Sequence, residues 1–244
     1  MNTGRVKLET TCYIKELDKW DPKYTIKKQL KEWKNFCMLI NGMSRAGKSY
    51  MLKDILKPVI KKFDIVCVFS KTVRNGFYQE WLNTKLLFDS FRPDVIEILK
   101  EEYYKKKEQD KSFKTLVIID DCISNNIKYS EAIGELFMSG RHFQCSTAIL
   151  GQKCSSLSQA WFANCTIFIS LFCASRKEKK YIAENLIANV IEPDPSTLPQ
   201  NRPLKFTEEE KEAYDIQTEV CNDFCALIIL PMDDEKKLYW YRAR

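Results

Sequence analysis

An α/β fold, with a mostly parallel central sheet flanked by helices and closed by a C-terminal β-hairpin, is predicted by three observations. Short apolar runs alternate with helical patterns along the chain. The first of these runs, Phe36 to Ile40, enters a glycine-containing loop, and a later one, Thr115 to Ile119, ends in two acids, Asp120 and Asp121. Strands that alternate with helices build a parallel sheet covered on both faces, which is why each strand reads as continuously apolar.

Taken in order, Arg5 to Ile14 reads as a strand, and Ile26, Leu30 and Trp33 share one face of a short helix. After the Phe36–Ile40 strand and its loop, Tyr50, Met51, Leu52, Ile55, Leu56 and Val59 fall at helical spacing, and Pro58 kinks or limits that helix. Asp64 to Phe69 is a second buried strand. Phe77 to Phe88 and Asp94 to Lys111 read as helices. Cys145 to Leu150 and Cys165 to Cys173 are the fourth and fifth strands, with helical patterns from Lys128 to Met138 and from Lys177 to Ile187 filling the gaps. Pro193, Pro195, Pro199 and Pro203 mark a loop, and Phe224–Leu230 pairs with Lys237–Tyr241 around Pro231-Met232-Asp233-Asp234. The 244 residues are expected to form a single domain, 1–244. In it, 1–34 is an N-terminal elaboration, 35–174 the nucleotide-binding core and 175–244 the C-terminal helices and hairpin.

The loop Asn41-Gly42-Met43-Ser44-Arg45-Ala46-Gly47-Lys48-Ser49 fits Gly-x-x-x-x-Gly-Lys-Ser, the phosphate-binding P-loop. Glycines let the backbone turn tightly, so that successive N–H groups face inward as an anion nest above a helix N-terminus. The candidate nucleotide-binding residues are therefore Gly42, Met43, Ser44, Arg45, Ala46, Gly47, Lys48, Ser49 and Tyr50. Lys48 is placed to reach the β- and γ-phosphates of ATP, and the Ser49 hydroxyl to ligate Mg²⁺. The alternative, an ordinary glycine turn, leaves the apolar strand before it and the helical pattern after it as coincidence.

Two acids at the end of a buried strand after a P-loop form a Walker B element. Asp120 would hold Mg²⁺ through its waters, and Asp121 would polarise the water that attacks the γ-phosphate. The bland alternative is an acidic strand end facing solvent. A further apolar strand lies between the P-loop strand and Walker B, which separates the chain from simple P-loop kinases and gives the RecA-like, additional-strand arrangement. Gln152 ends the next strand, at the carboxyl edge where α/β sheets bind ligands. It is a candidate γ-phosphate sensor that holds the attacking water, or else a loop cap.

Composition fits this reading. Hydrophobic residues make up 45% of the chain, enough for a substantial core, and the net charge of +6 allows an anionic partner without requiring one. The ten cysteines include no Cys-x-x-Cys pair, and His142 is the only histidine, so a zinc site is poorly supported. Several sit in apolar runs, as free thiols do in a reducing, intracellular setting. Cys221-x-x-x-Cys225 remains a formal half-site for a metal. No signal peptide is expected at the start. The longest apolar run, Cys165 to Ala174, is about half the ~20 residues that span a bilayer, so a soluble protein with no membrane partner is expected. Lys105-Lys106-Lys107 is either a DNA contact or a solvated helix face.

Gly140-Arg141-His142, then Ser146-Thr147-Ala148-Ile149-Leu150-Gly151-Gln152, Asn164 and Thr166-Ile167-Phe168 carry a resemblance. Together with the P-loop and the Asp-Asp Walker B, they resemble the poxvirus-type genome-packaging ATPases of the FtsK–HerA superfamily, found also in giant viruses and virophages. The similarity runs from about Phe36 to Phe172. It implies ATP-driven translocation of double-stranded DNA by a homo-oligomeric ring of five or six subunits, with sites at subunit interfaces and capsid vertex proteins as partners. It also implies a setting in the viral factory of the host cytoplasm, or in the virion. An arginine supplied in trans completes such sites, because charge on the transferring phosphate needs a cation. Arg141 is the first candidate for this catalytic role. The family often carries an arginine two residues before the position of Asn164, where this chain has Phe162, so Arg176 and Arg45 are also candidates. Met43 and Ala46 stand where relatives are richer in glycine, which makes the loop backbone less permissive.

Two other functions are compatible with a P-loop. A nucleotide kinase needs an arginine-rich lid between the later strands, where only Arg141 and Arg176 occur. A non-hydrolysing ATP-binding assembly component would not need the full set of Lys48, Ser49, Asp120 and Asp121. No acid cluster of a nuclease follows residue 174.

Overall fold

Alternate residues of the central strands belong to two separate apolar clusters, which is the mark of a sheet buried on both faces. Cys37, Leu39, Phe69, Val117, Ile119 and Ile149 fall in one. Met38, Ile40, Val68, Leu116, Ile118, Ala148 and Leu150 fall in the other. The structure is a computed structural model and describes residues 17–122, 130–154, 157, 159–187, 208–221, 224–232 and 238–243. The expected strand at Arg5–Ile14, the four-proline loop and Asp233-Asp234 of the hairpin tip lie outside the described residues.

Among the described residues, nine strands form one sheet: β1 (Asp18–Lys19), β2 (Cys37–Asn41), β3 (Ile65–Ser70), β4 (Leu87–Phe88), β5 (Thr115–Asp120), β6 (Cys145–Gly151), β7 (Ile167–Ser170), β8 (Cys225–Ile229) and β9 (Leu238–Arg242). Their order is β1-β9-β8-β7-β2-β6-β5-β3-β4. The pairings from β7 through β4 are parallel, and β8 alone runs against its neighbours. The β8–β9 hairpin is therefore present as expected. The fold is that of a P-loop NTPase with a mostly parallel sheet. A strand does separate the P-loop strand from Walker B, but in space it is β6; the earlier strand β3 lies on the far side of β5.

One face is covered by α1 (Pro22–Glu32) and α2 (Lys48–Leu56), through Ile26, Leu30, Met51, Leu52, Ile55 and Leu56. The other is covered by α3 (Pro93–Glu108), α4 (Glu131–Ser139), α6 (Arg176–Ile182) with the π-turn Ala183–Ile187 after it, and α7 (Glu208–Val220). The short α5 (Gln159–Ala163) precedes β7. As Pro58 requires, α2 stops at Leu56.

Three expectations are corrected. Phe77–Phe88 is not a helix: the segment turns through Gly76–Trp81 and ends in β4, because Tyr78 is drawn inward and is fully buried. The fifth strand is limited to Ile167–Ser170. Tyr50, grouped above with the apolar face of α2, is 67% exposed. The helix α7 was not read from the sequence, since its run of glutamates hides the apolar face formed by Ala213, Ile216 and Val220. The cysteines do act as small hydrophobes: all nine described ones are buried and none is in a disulfide.

Candidate nucleotide site

Parallel register brings the ends of four strands to one edge. Asn41 pairs with both Gly151 and Ser170, and Asp120 pairs with Leu150. The loop after β2 is tied to both neighbours: Gly42 N–H donates to Gly151 O (3.2 Å) and Met43 N–H to Phe172 O (3.0 Å). Gly42 is needed for close approach, because a Cβ there would lie 2.8 Å from the Leu171 Cβ. Gly47 is needed for its left-handed backbone, φ 89°, and it starts α2 without a side-chain cap, leaving the first-turn N–H groups directed at the loop. Met43 and Ala46 do not carry the strain expected of them. Arg45 does, with φ 65°.

Lys48 is 6% exposed, and its Nζ donates to the carbonyls of Gly42 (2.9 Å) and Met43 (3.0 Å), folded back onto its own loop. The Ser49 hydroxyl donates to Oδ2 of Asp120 (2.9 Å). The same oxygen accepts from the hydroxyl of Tyr78 (2.6 Å). Burial, more than anything else, pushes the Asp120 carboxyl above the usual carboxylate range. The hydrogen bonds from Tyr78 and Ser49 pull it back, Asp121 adds to the rise, and Lys48 opposes it. Burial also drives the Tyr78 phenol far above its ordinary value, reinforced by the Asp120 charge.

Asp121 follows β5 in a left-handed conformation, φ 52°, which aspartate tolerates better than most residues. The turn brings its Oδ1 to the Gln152 side chain, whose Nε2 donates to it at 3.0 Å. A cavity of about 520 Å³ is lined by Ser44, Arg45, Gly47, Lys48, Ser49, Tyr50, Asp120 and Asp121, with Thr72, Asn75 and Phe77 from the segment after β3. A neighbouring cavity contains Lys71, Thr72, Asp121, Gln152 and Lys153.

The structure thus gathers Gly42 to Tyr50, Asp120, Asp121 and Gln152, but it does not bring Arg141 to them. Arg141 is exposed in the turn Gly140–Phe143, before β6, in a cavity with Trp33, Asn35, His142 and Asn164 at the opposite edge of the sheet. The seven residues of β6 put roughly 20 Å between it and the loop, so within its own chain Arg141 has no contact with this site. Arg176 lies on the loop's edge, exposed at the start of α6 beside Lys180, Lys211 and Tyr214. Phe162 packs on Phe168 and Tyr181, which accounts for an aromatic in place of arginine there. Asn164 bonds back to Ala160 O. Lys105, Lys106 and Lys107 occupy the last turn of α3, where cations suit the helix dipole. Cys221 and Cys225 are buried, with Cys221 donating to Ser170 O, and no metal-binding cluster exists among the described residues.

Tyr78 was missed by reading the sequence. Its signal was there: an aromatic run following a glycine, just past a strand end at the ligand-binding edge, where loops carry function.

A profile of the family described as Poxvirus A32 protein matches residues 23–194. An uncharacterized protein, 015R, of Frog virus 3 (isolate Goorha) is 28% identical over 127 residues, covering 50% of this chain and 39% of that one. The chain therefore spans less than half the length of that relative. Among solved structures, B204, the DNA-packaging ATPase from Sulfolobus turreted icosahedral virus, has a TM-score of 0.57 at 16% identity, over 86% of this chain and 98% of its own. The monomer form of the pCW3 conjugation coupling protein TcpA with ATPgS has a TM-score of 0.58 at 15% identity, over 93% and 69%. At these identities the two likenesses are in fold.

Proposed function

The chain belongs to the Poxvirus A32 protein family, and on that premise we propose that it is an ATP-hydrolysing motor that packages viral double-stranded DNA into a capsid. The observation that carries this reading is the convergence of Lys48, Ser49, Asp120 and Asp121 on one cavity at the carboxyl edge of the sheet, with Gln152 bonded to Asp121 from the neighbouring cavity. A nucleoside triphosphate entering there meets the loop's N–H groups and the N-terminus of α2. Lys48 exchanges its two carbonyl partners for phosphate oxygens, a short rotation for a flexible side chain.

The residues fit Mg²⁺, since Ser49 and Asp120 offer hard oxygen donors 2.9 Å apart beside a cavity with room for water ligands. Ser49 would hold the ion directly and Asp120 through its waters, and the ion would supply charge neutralisation at the β- and γ-phosphates. Asp121 accepts the proton of the attacking water, and Gln152, hydrogen-bonded to it, fixes its carboxylate and senses the γ-phosphate.

Charge on the transferring phosphate calls for a further cation. Arg45 and Arg176 lie on the loop's edge, whereas Arg141 serves only from a neighbouring subunit that presents the opposite edge. That arrangement accords with a homo-oligomeric ring working on DNA at a capsid vertex, in the viral factory or virion. B204 is named a DNA-packaging ATPase, and its shared fold is compatible with the same task here. No helix among the described residues is long and apolar enough to cross a membrane.

The test is an ATPase assay with and without double-stranded DNA across a range of protein concentrations. DNA stimulation and a steep concentration dependence are expected if sites form between subunits. Hydrolysis that ignores both DNA and concentration would count against a ring motor. Phosphoryl transfer to a nucleoside monophosphate would point to a kinase instead.

A further inference from the structure

Phe224 combines two unfavourable features. Its ring is 64% exposed, and its backbone is left-handed with φ 60°. Such a conformation costs a bulky residue of order 1–2 kcal/mol. What the conformation achieves is position. Because β8 runs antiparallel to β7, its first residues emerge at the same edge as the phosphate loop, and the Phe224 ring lies over Gly47, 3.5 Å from where a Cβ would stand.

Tyr50 lines the same space, 67% exposed, with its ring held edge-on by Phe77 at 5.1 Å. Both border a slot of about 150 Å³, walled otherwise by Ala46, Gly47, Met51, Leu171 and Ala243. The slot and the larger phosphate-side cavity share Gly47 and Tyr50, so the two adjoin. Two exposed aromatic rings at the end of a phosphate loop, with apolar walls, match a flat π-system linked to phosphates. Among the described residues, the only side-chain polar atom lining the slot is the Tyr50 hydroxyl.

We propose that the base of the bound nucleoside triphosphate stacks in the slot bordered by Tyr50 and Phe224. The chain then selects for a large π-face, and hardly for the hydrogen-bonding edge of one particular base. The inference rests on the reading that the loop binds a nucleoside triphosphate, and adds what holds the base. Stacking on an aromatic ring is tolerant of base identity because every base has a π-face, and purines offer the larger one.

The experiment is equilibrium binding of ATP, GTP, CTP, UTP and inorganic tripolyphosphate to the full chain with Mg²⁺. Wild type should hold ATP and GTP with similar affinity, and both more tightly than CTP and UTP. Phe224→Ala should weaken ATP and GTP by about tenfold each while leaving tripolyphosphate unchanged, and Phe224→Trp should restore the purines. Phe224→Gly removes the ring and the backbone strain together, so it should lose the same affinity while its unfolding temperature holds or rises. ATP binding unaltered in Phe224→Ala, or tripolyphosphate weakened equally, overturns the slot. So does a strong preference for ATP over GTP. Wild type binding none of these probes, or Lys48→Ala binding them all as well as wild type, overturns the nucleotide-site reading itself.

Discussion

Tyr78 donates a 2.6 Å hydrogen bond to Oδ2 of Asp120, and both residues are buried. A tyrosine from the turn after β3 thus braces the acid proposed to hold the metal's waters. Hydrogen bonds to charged groups are worth about 1.5–3 kcal/mol, so Tyr78→Phe should lower stability by about 2 kcal/mol in urea unfolding. Groups that orient metal-binding residues typically control metal affinity by about tenfold or more. The Mg²⁺ concentration for half-maximal hydrolysis should therefore rise by about that factor. A variant less stable but unchanged in Mg²⁺ dependence would reduce Tyr78 to a packing residue.

Asp120 also makes stability depend on pH. Its carboxyl is held above the usual range by burial, so folding favours the protonated form. This contribution is fully present below the ordinary aspartate range and is lost as pH rises through the folded value. Asp120→Asn has no charge to bury and lacks that loss. In metal-free, nucleotide-free buffer, the variant should gain stability relative to wild type as pH rises from about 4 toward neutrality. Thermal unfolding across that window checks the sign, and a relative gain by wild type would falsify the assignment.

The 3.0 Å contact between Gln152 and Asp121 predicts that the two act as a unit. Asp121→Asn should slow turnover by about 10²- to 10⁴-fold, with nucleotide binding largely kept. Gln152→Ala should slow it less. The double variant should be slower than Asp121→Asn by much less than the Gln152→Ala factor, because the glutamine has no carboxylate left to orient. Multiplicative losses in steady-state kinetics would mean separate roles.

Gly140 should resist substitution for a purely steric reason. Its backbone is helical, yet a Cβ would stand 2.8 Å from the carbonyl oxygen of Cys145. Backbone atoms yield little, so Gly140→Ala should cost about 1–3 kcal/mol by denaturant unfolding. The loss should occur without change in nucleotide affinity, since Gly140 sits at the sheet edge away from the loop.

The phosphate loop and the two acids were legible because local chemistry dictates them: a glycine pair at fixed spacing, and acids closing an apolar strand. Strand positions were legible wherever both faces are buried, as at Cys37–Asn41 and Thr115–Asp120. Spatial order was not, since nothing local in Ile65–Ser70 or Cys145–Gly151 tells which one inserts beside the loop strand. The Phe77–Phe88 segment misled because aromatic residues at helical spacing are equally what a buried turn needs. Left-handed positions at Arg45, Asp121 and Phe224 escaped notice for a related reason. Only glycine advertises such a backbone, and here other residues are forced into it.

The cysteines have a practical side. Burial pushes the thiols of Cys37, Cys67 and Cys221 up to about 12 and those of Cys122 and Cys173 to about 11. Reagents that attack thiolate find almost none at neutral pH. A fluorophore maleimide can therefore be directed past these five thiols to an engineered surface cysteine. Ala243→Cys, at the rim of the Tyr50–Phe224 slot, would give a probe whose emission follows nucleotide occupancy through each turnover.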